Sequence, residues 1–382
     1  GQGGRFLVEA NVDDGKFLFD PAWPVLDGIQ GRFRMLNDGI EVQAARARTA
    51  GVALQQVTVR LPDLMREHAK LYVEGLAQGE LPQMLAYTRA SPVDGWLDGF
   101  LSTLDSSGQA QLKLGLMLPL DDMEAARVDG DVTLAGNTLQ LRDLPLPLLT
   151  DIHGVLHFNE HGVSTPGIDY QAFGGHSRLQ ATLDKQQRMQ FVSQGQVDIS
   201  PVLQQYVPFL ARYASGSTDY RADFTVGRTL DALTVQSSLQ GVATAVPAPL
   251  AKPAQDSWPL QLGVYATQKG WQVDWQVPGH AQGLVALGAG GELLGAGVGV
   301  GADTPDPTGR IAIRAAAPAV QLEPWLAALP AGEDVAGEWA LPLKLALSTP
   351  RFSAQGKQLN QLDAVMNWQG GESPLQLQLK SR

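Results

Sequence analysis

Six histidines and a few carboxylate pairs are the residues of this chain whose types could carry chemistry. His153, His157 and His161 recur every four positions, a spacing that on one helix would gather three imidazoles as a metal face. The local pattern argues for a strand instead, because Gly154 and Gly162 bracket alternating apolar positions. At strand rise four residues span about 13 Å, too far for neighbours to share one ion. His68 and His280 have no companions in the sequence. Asp121-Asp122 and Asp129-Gly130-Asp131 lack the spacing of a calcium loop, and Asp-Gly is an ordinary turn signal. No G-x-S-x-G, H-E-x-x-H or G-x-x-x-x-G-K-[ST] motif occurs, and with no cysteine in the chain thiolate chemistry is excluded. Gly288 to Gly295 lacks the glycine spacing of a dinucleotide fingerprint. Gly295-Ala296-Gly297-Val298-Gly299-Val300-Gly301 sets bare glycines on one strand face, which something must approach closely. Tight packing by a neighbouring segment is the expectation there. No catalytic, metal or cofactor-binding residue is assigned.

Composition narrows the field further. The 382 residues carry 28 Lys plus Arg against 39 Asp plus Glu, a formal net charge of −11. Such a chain has no excess of cations to displace counterions from phosphates, so a nucleic-acid partner is excluded. Charged residues make up only 18%, while 42 glycines and 24 prolines mark a folded, turn-rich chain. No uninterrupted apolar run reaches membrane-spanning length. The opening Gly1-Gln2-Gly3-Gly4 has no signal-peptide pattern and reads as an internal cut.

The elements left to position any site are mostly strands. Leu112, Leu114, Leu116 and Leu118 occupy one face at period 2, with Lys113 on the other. Leu341, Leu343, Leu345 and Leu347 repeat the pattern, as do Leu375, Leu377 and Leu379 near the end. Asp131–Leu134 and Asn137–Leu141 read as a hairpin about Ala135-Gly136. Short helices are expected near 63–71, 81–104 and 198–213, with a weaker one over 320–329. Within the second, Ser91-Pro92 ends a first helix and starts another, whose apolar face holds Trp96, Phe100 and Leu104. A proline-rich loop over 246–259 separates a repetitive β segment, 1–245, from its continuation, 260–382.

An internal repeat organises the first part. Gly31 and Gly154, Gly39 and Gly162, and Gly51 and Gly174 are each 123 positions apart, and Ile29 matches Ile152 in the same register. Strand, glycine-marked hairpin and return strand form a unit whose repetition favours a sheet grown by stacking.

Several segments together resemble the YhdP family of large AsmA-like envelope proteins of Gram-negative bacteria. They include Phe17-Leu18-Phe19-Asp20-Pro21-Ala22-Trp23-Pro24-Val25-Leu26-Asp27-Gly28-Ile29-Gln30-Gly31, Ser91-Pro92-Val93-Asp94-Gly95-Trp96, Val128-Asp129-Gly130-Asp131, Leu149-Thr150-Asp151-Ile152-His153-Gly154-Val155-Leu156-His157-Phe158 and Pro318-Ala319-Val320-Gln321-Leu322-Glu323-Pro324-Trp325. The resemblance covers essentially the whole chain. It implies a mainly β fold: a long, curled, repetitive antiparallel sheet forming an elongated hydrophobic groove, with a few short helices at its margins. It also implies non-enzymatic phospholipid transport between inner and outer membrane, with phospholipid as the transported ligand and no cofactor. The setting would be the periplasm, within a protein held to the inner membrane by an N-terminal anchor that lies outside this segment, with an outer-membrane partner at the far end. A cut piece of such a sheet exposes strand edges, at which edge-to-edge self-association is expected.

On this reading the leucines at 112, 114, 116, 118, 341, 343, 345, 347, 375, 377 and 379 line the groove. Trp96, Phe100 and Leu104 touch either lipid or the sheet. The alternative is a structural scaffold or assembly factor of the envelope, with a filled, non-conducting β core. Period-2 leucines suit an open trough and a closed sandwich equally.

Overall fold

The structure, a computed structural model, describes residues 4–18, 21–91, 103–122, 125–142, 146–183, 189–226, 230–328, 341–370 and 373–381. The chain divides into two compact units, Gly1–Ala172 with Ser177–Phe191, and Phe173–His176 with Val192–Arg382. Among the described residues 23 strands belong to one hydrogen-bonded mixed sheet, and two short strands pair separately. The fold is mainly β with few, short helices.

The first unit is a meander. Its strands are β1 (Leu7–Phe17), β2 (Leu26–Leu36), β3 (Gly39–Thr49), β4 (Val52–Leu61), β5 (Lys70–Glu80), β6 (Leu104–Ser107), β7 (Gln109–Pro119), β8 (Arg127–Leu141), β9 (Leu149–Asn159) and β10 (Gly162–Ala172). Antiparallel ladders join β1 to β2 and onward through β3, β4, β5, β7, β8 and β9 to β10. The Leu81–Arg89 helix follows β5, with Pro82 in its first turn, where a missing N–H costs nothing. β11 (Gly175–Leu183) and β12 (Met189–Asp198) cross the division between the units.

The 123-residue repeat is built into this backbone. Gly31 on β2 and Gly154 on β9 each face the next strand so closely that an added Cβ would meet its backbone, Gly167 O at 2.8 Å in the case of Gly154. Gly39 opens β3 as Gly162 opens β10. Ala50-Gly51 and Phe173-Gly174 both turn with two positive φ angles, 48° and 83° in one and 49° and 74° in the other, the backbone of a type I′ hairpin turn. Gly28 and Asp151, again 123 apart, both sit at positive φ where a strand bulges.

Three expectations need correction here. Residues 62–69 form turns rather than a helix, and β5 begins at Lys70. Asp131–Leu134 and Asn137–Leu141 are one strand, β8, carrying a bulge at Gly136 (φ 80°) instead of a hairpin. There β8 changes partner, from β7 at Leu134 to β6 at Thr138. Asn137, 0% exposed, stitches the exchange: its amide nitrogen donates to Ser107 O and Gln109 O, at 3.0 and 3.1 Å, and its oxygen accepts the Ala135 amide at 2.8 Å. Leu104 opens β6 and is not the end of a helix, while Trp96 and Phe100 lie outside the described residues.

The second unit holds the Ile199–Tyr206 helix, a 3₁₀ turn at Pro208–Tyr213, and the remaining strands. These are β13 (Ala214–Ser215), β14 (Ser217–Val226), β15 (Leu230–Ser237), β16 (Ala243–Thr244), β17 (Leu260–Thr267), β18 (Gly270–Val277), β19 (Ala281–Gly288), β20 (Leu293–Val300), β21 (Ile311–Ala316), β22 (Val320–Gln321), β23 (Leu343–Ala354), β24 (Lys357–Trp368) and β25 (Gln376–Lys380). The cap of the first helix is Asp198, which accepts the Ser200 amide at 3.2 Å. A last helix, Leu322–Ala328, follows β22.

β14, β15, β17, β18, β19 and β20 pair antiparallel in that order. The antiparallel expectation then fails locally: β21 lies parallel to both β20 and β23 before the meander resumes through β24 to β25. A parallel neighbour needs a crossover, and the one from β20 to β21 explains the glycine-alternating strand. A Cβ at Gly295, Gly297 or Gly299 would collide with the backbone carbonyl of Pro307, Pro305 or Ala302, so these glycines make room for the returning segment.

The proline-rich loop is ordered by one lysine. Lys252, 2% exposed, donates from Nζ to the carbonyls of Leu239, Val242 and Pro253 at 2.8, 2.7 and 3.3 Å, and burial holds its ammonium below the ordinary lysine range.

Candidate functional site: an apolar sheet face

Registry decides which side chains share a face. Across β5 and β7, Leu71 pairs with Leu118, Val73 with Leu116, Gly75 with Leu114 and Ala77 with Leu112. The same row passes from β7 to β8 as Leu116–Val128, Leu114–Gly130 and Leu112–Val132, and from β8 to β9 as Gly130–Phe158 and Val132–Leu156. In the other direction it continues as Val59–Val73, Val42–Val59 and Phe33–Val42, and reaches β1 at Ala10. One face of the first unit is therefore apolar strand after strand.

The opposite face is polar and carries its own cross-strand charges. Arg32 meets Glu9 at 2.8 Å, Arg60 meets Glu74 at 3.2 Å, and Lys113 stands opposite Asp131. The three histidines belong to this polar set and go to separate carboxylates. His153 Nε2 lies 2.8 Å from Asp151, His157 Nδ1 3.0 Å from Asp131, and His161 Nδ1 3.4 Å from Glu160. Hydrogen bonds from its own and the Val128 backbone amide hold the Glu160 carboxyl below the usual range. Among the described residues no three His, Asp or Glu side chains come together as a metal-binding group.

The second unit repeats the division. Leu262–Trp275, Val264–Val273 and Ala266–Trp271 pair across β17 and β18, and the row runs on through Val285, Ala296, Ile311 and Leu343 to Trp368. Leu345 pairs with Met366, which pairs with Leu377; Leu347 pairs with Ala364, which pairs with Leu379. The sequence reading passes over Trp271, Val273 and Trp275, although their spacing of two is the same signal that marks the leucines.

The leucines thus fall where their periodicity put them, with differences at the ends. Leu112, Leu114 and Leu116 are half-buried, and only Leu118, at 6% exposure, is core. Leu343, Leu345 and Leu347 are half-buried on β23, while Leu341 precedes that strand. Leu377 and Leu379 stand on β25 at 56% and 59% exposure, and Leu375 lies just before it. Leu104, half-buried, pairs with Leu141. Partial exposure is the informative quantity, because a sandwich core would bury such rows almost completely. Two aromatic rings also fill the space beside glycines of the neighbouring strand: Phe158 against Gly130 and Trp275 against Gly283.

The class of the chain is a mainly β protein whose sheet faces divide into apolar and polar sides. The family can be stated outright. The profile of the family described as "YhdP protein" matches residues 1–382, and the chain belongs to it. A relative is the "Intermembrane phospholipid transporter YhdP" of Escherichia coli (strain K12), 24% identical over 383 residues, which cover 95% of this chain and 29% of that protein. The chain thus spans less than a third of the relative's length. No solved structure matches it. No helix among the described residues is long and apolar enough to cross a membrane.

Proposed function

We propose that the apolar faces of this chain line a hydrophobic groove that shields phospholipid acyl chains during transport between two membranes, without covalent chemistry. The observation that carries the reading is the apolar row in each unit, most of whose members stay partly exposed, although Leu118, Val264 and Ile311 are buried. Such a face offers a lipid tail roughly 0.8 kcal/mol for each methylene withdrawn from water, and the headgroup remains in solvent. Rows of similar side chains keep that energy nearly level from strand to strand, so a tail can slide. A passive groove imposes no direction, which must come from a gradient or a partner.

The reading assigns the chain to the periplasm, as part of a protein anchored in the inner membrane of a Gram-negative bacterium. It rests on family membership and on the name of the Escherichia coli relative.

Photocrosslinking tests it in the full-length protein. A photoreactive residue at Leu114 or Leu116 in the first unit, or at Leu345 in the second, should capture phospholipid, whereas Lys113 on the reverse face should not. Capture at none of the leucines in a folded protein would return these faces to ordinary core and favour a filled scaffold.

A further inference from the structure

On the polar face of the second unit a cavity of about 170 Å³ gathers three cations. Parallel registry pairs Ala312 with Lys344 and Arg314 with Ala346, so Arg314 and Lys344 are diagonal neighbours on one face, roughly 7–8 Å apart at Cα. Arg310 precedes them at the same period, and its backbone is fixed on both sides. Its carbonyl accepts the Ala296 amide at 3.0 Å, and its own amide donates to Pro307 O at 3.3 Å.

One acid joins the cavity, Asp306, and its Oδ1 is occupied by the amide and hydroxyl of Thr308 at 3.1 and 2.7 Å. Among the described residues neither Arg314 nor Lys344 forms an ion pair. Three cations against one carboxylate leave this spot cationic on a chain whose net charge is −11.

We infer that this cavity is a binding site for a phosphate group. Arg310 Nε donates to Thr308 O at 3.3 Å; the remaining guanidinium nitrogens and the ammonium still offer more donors than the two oxygens of a planar carboxylate can accept, whereas the three terminal oxygens of a phosphate match them. Ala312 and Ala346 leave the floor open between the cations. Ile313 also lines the cavity, while Ile311, Leu343 and Leu345 of the apolar row alternate with the cations along the same strands. The site stands whether or not the groove carries lipid.

Calorimetric titration of the chain with inorganic phosphate at low salt should show saturable binding at one equivalent, with acetate at least ten-fold weaker. Arg314→Gln and Lys344→Gln, both at exposed positions, should each weaken phosphate at least five-fold, while Lys344→Arg should retain it and control for folding. Absence of saturable phosphate binding, acetate binding as tightly, or unchanged affinity in both Gln variants would overturn the site. Flotation with phosphatidic acid vesicles, whose monoester headgroup keeps three terminal oxygens, separates two sources of the group. Vesicle binding lost in the Gln variants identifies a lipid headgroup, and phosphate binding without vesicle binding identifies a free phosphate.

Discussion

Asn137 shows how much one buried amide can carry. Its side chain satisfies two carbonyls and one amide at the point where β8 trades one partner for another. Asn137→Ala would strand those groups in a dry site, at a cost of about 2–3 kcal/mol, read as a lower urea midpoint with an unchanged slope. Lys252→Met leaves three inward carbonyls without a donor. Charged hydrogen bonds of this kind are each worth about 1.5–3 kcal/mol, so the amides of Gly241 and Thr244, which close the same loop, should exchange hydrogen markedly faster. Neither role is readable from residue type. Asn next to Gly is the same signal for a hairpin as for a bulge, and a lysine between alanine and proline looks like surface.

At the scale of elements, the leucine alternation of β7 and β23 was legible because period 2 is a property of the strand itself. The Leu81–Arg89 helix was legible from Ser91-Pro92 beyond its end. The parallel course of β21 was not, since it depends on a pairing with β23 across more than twenty intervening residues, and local pattern is blind to it. The glycines of β20 nonetheless announced that something crosses them. Gly297→Val should therefore lift the Ala302–Pro307 segment, cost about 1–3 kcal/mol by overpacking, and open that segment to limited proteolysis. Gly136→Val provides the contrast. A Cβ there meets nothing, so its penalty comes from the positive φ alone, at about 1–2 kcal/mol, and should leave proteolysis at 302–307 unchanged. The expected helix at 63–71 failed because Pro62 and a polar run satisfy a turn as well as a helix start.

For the whole molecule the division into an apolar and a polar face was legible and its closure was not, because periodicity says which side chains share a side and nothing about what covers them. Leu114→Asp with Leu116→Asp separates the outcomes. If these side chains line an occupied groove, the double variant should fold, with little change in its thermal midpoint, yet lose lipid transfer in the full-length protein. If they are core, two buried carboxylates should unfold the unit outright. Family membership rests on the entire chain, so it does not depend on any one of these faces.

The paired turns at Ala50-Gly51 and Phe173-Gly174 have a metrical meaning. Six ladder steps lead from β2 to its counterpart β9, which at strand spacing amounts to about 29 Å. The repeat is therefore a ruler division. Gene segments duplicated or lost in whole units would lengthen or shorten the sheet by that increment while leaving every side chain on its original side. A sheet built this way can be set to a required length by counting modules, with no new fold to invent.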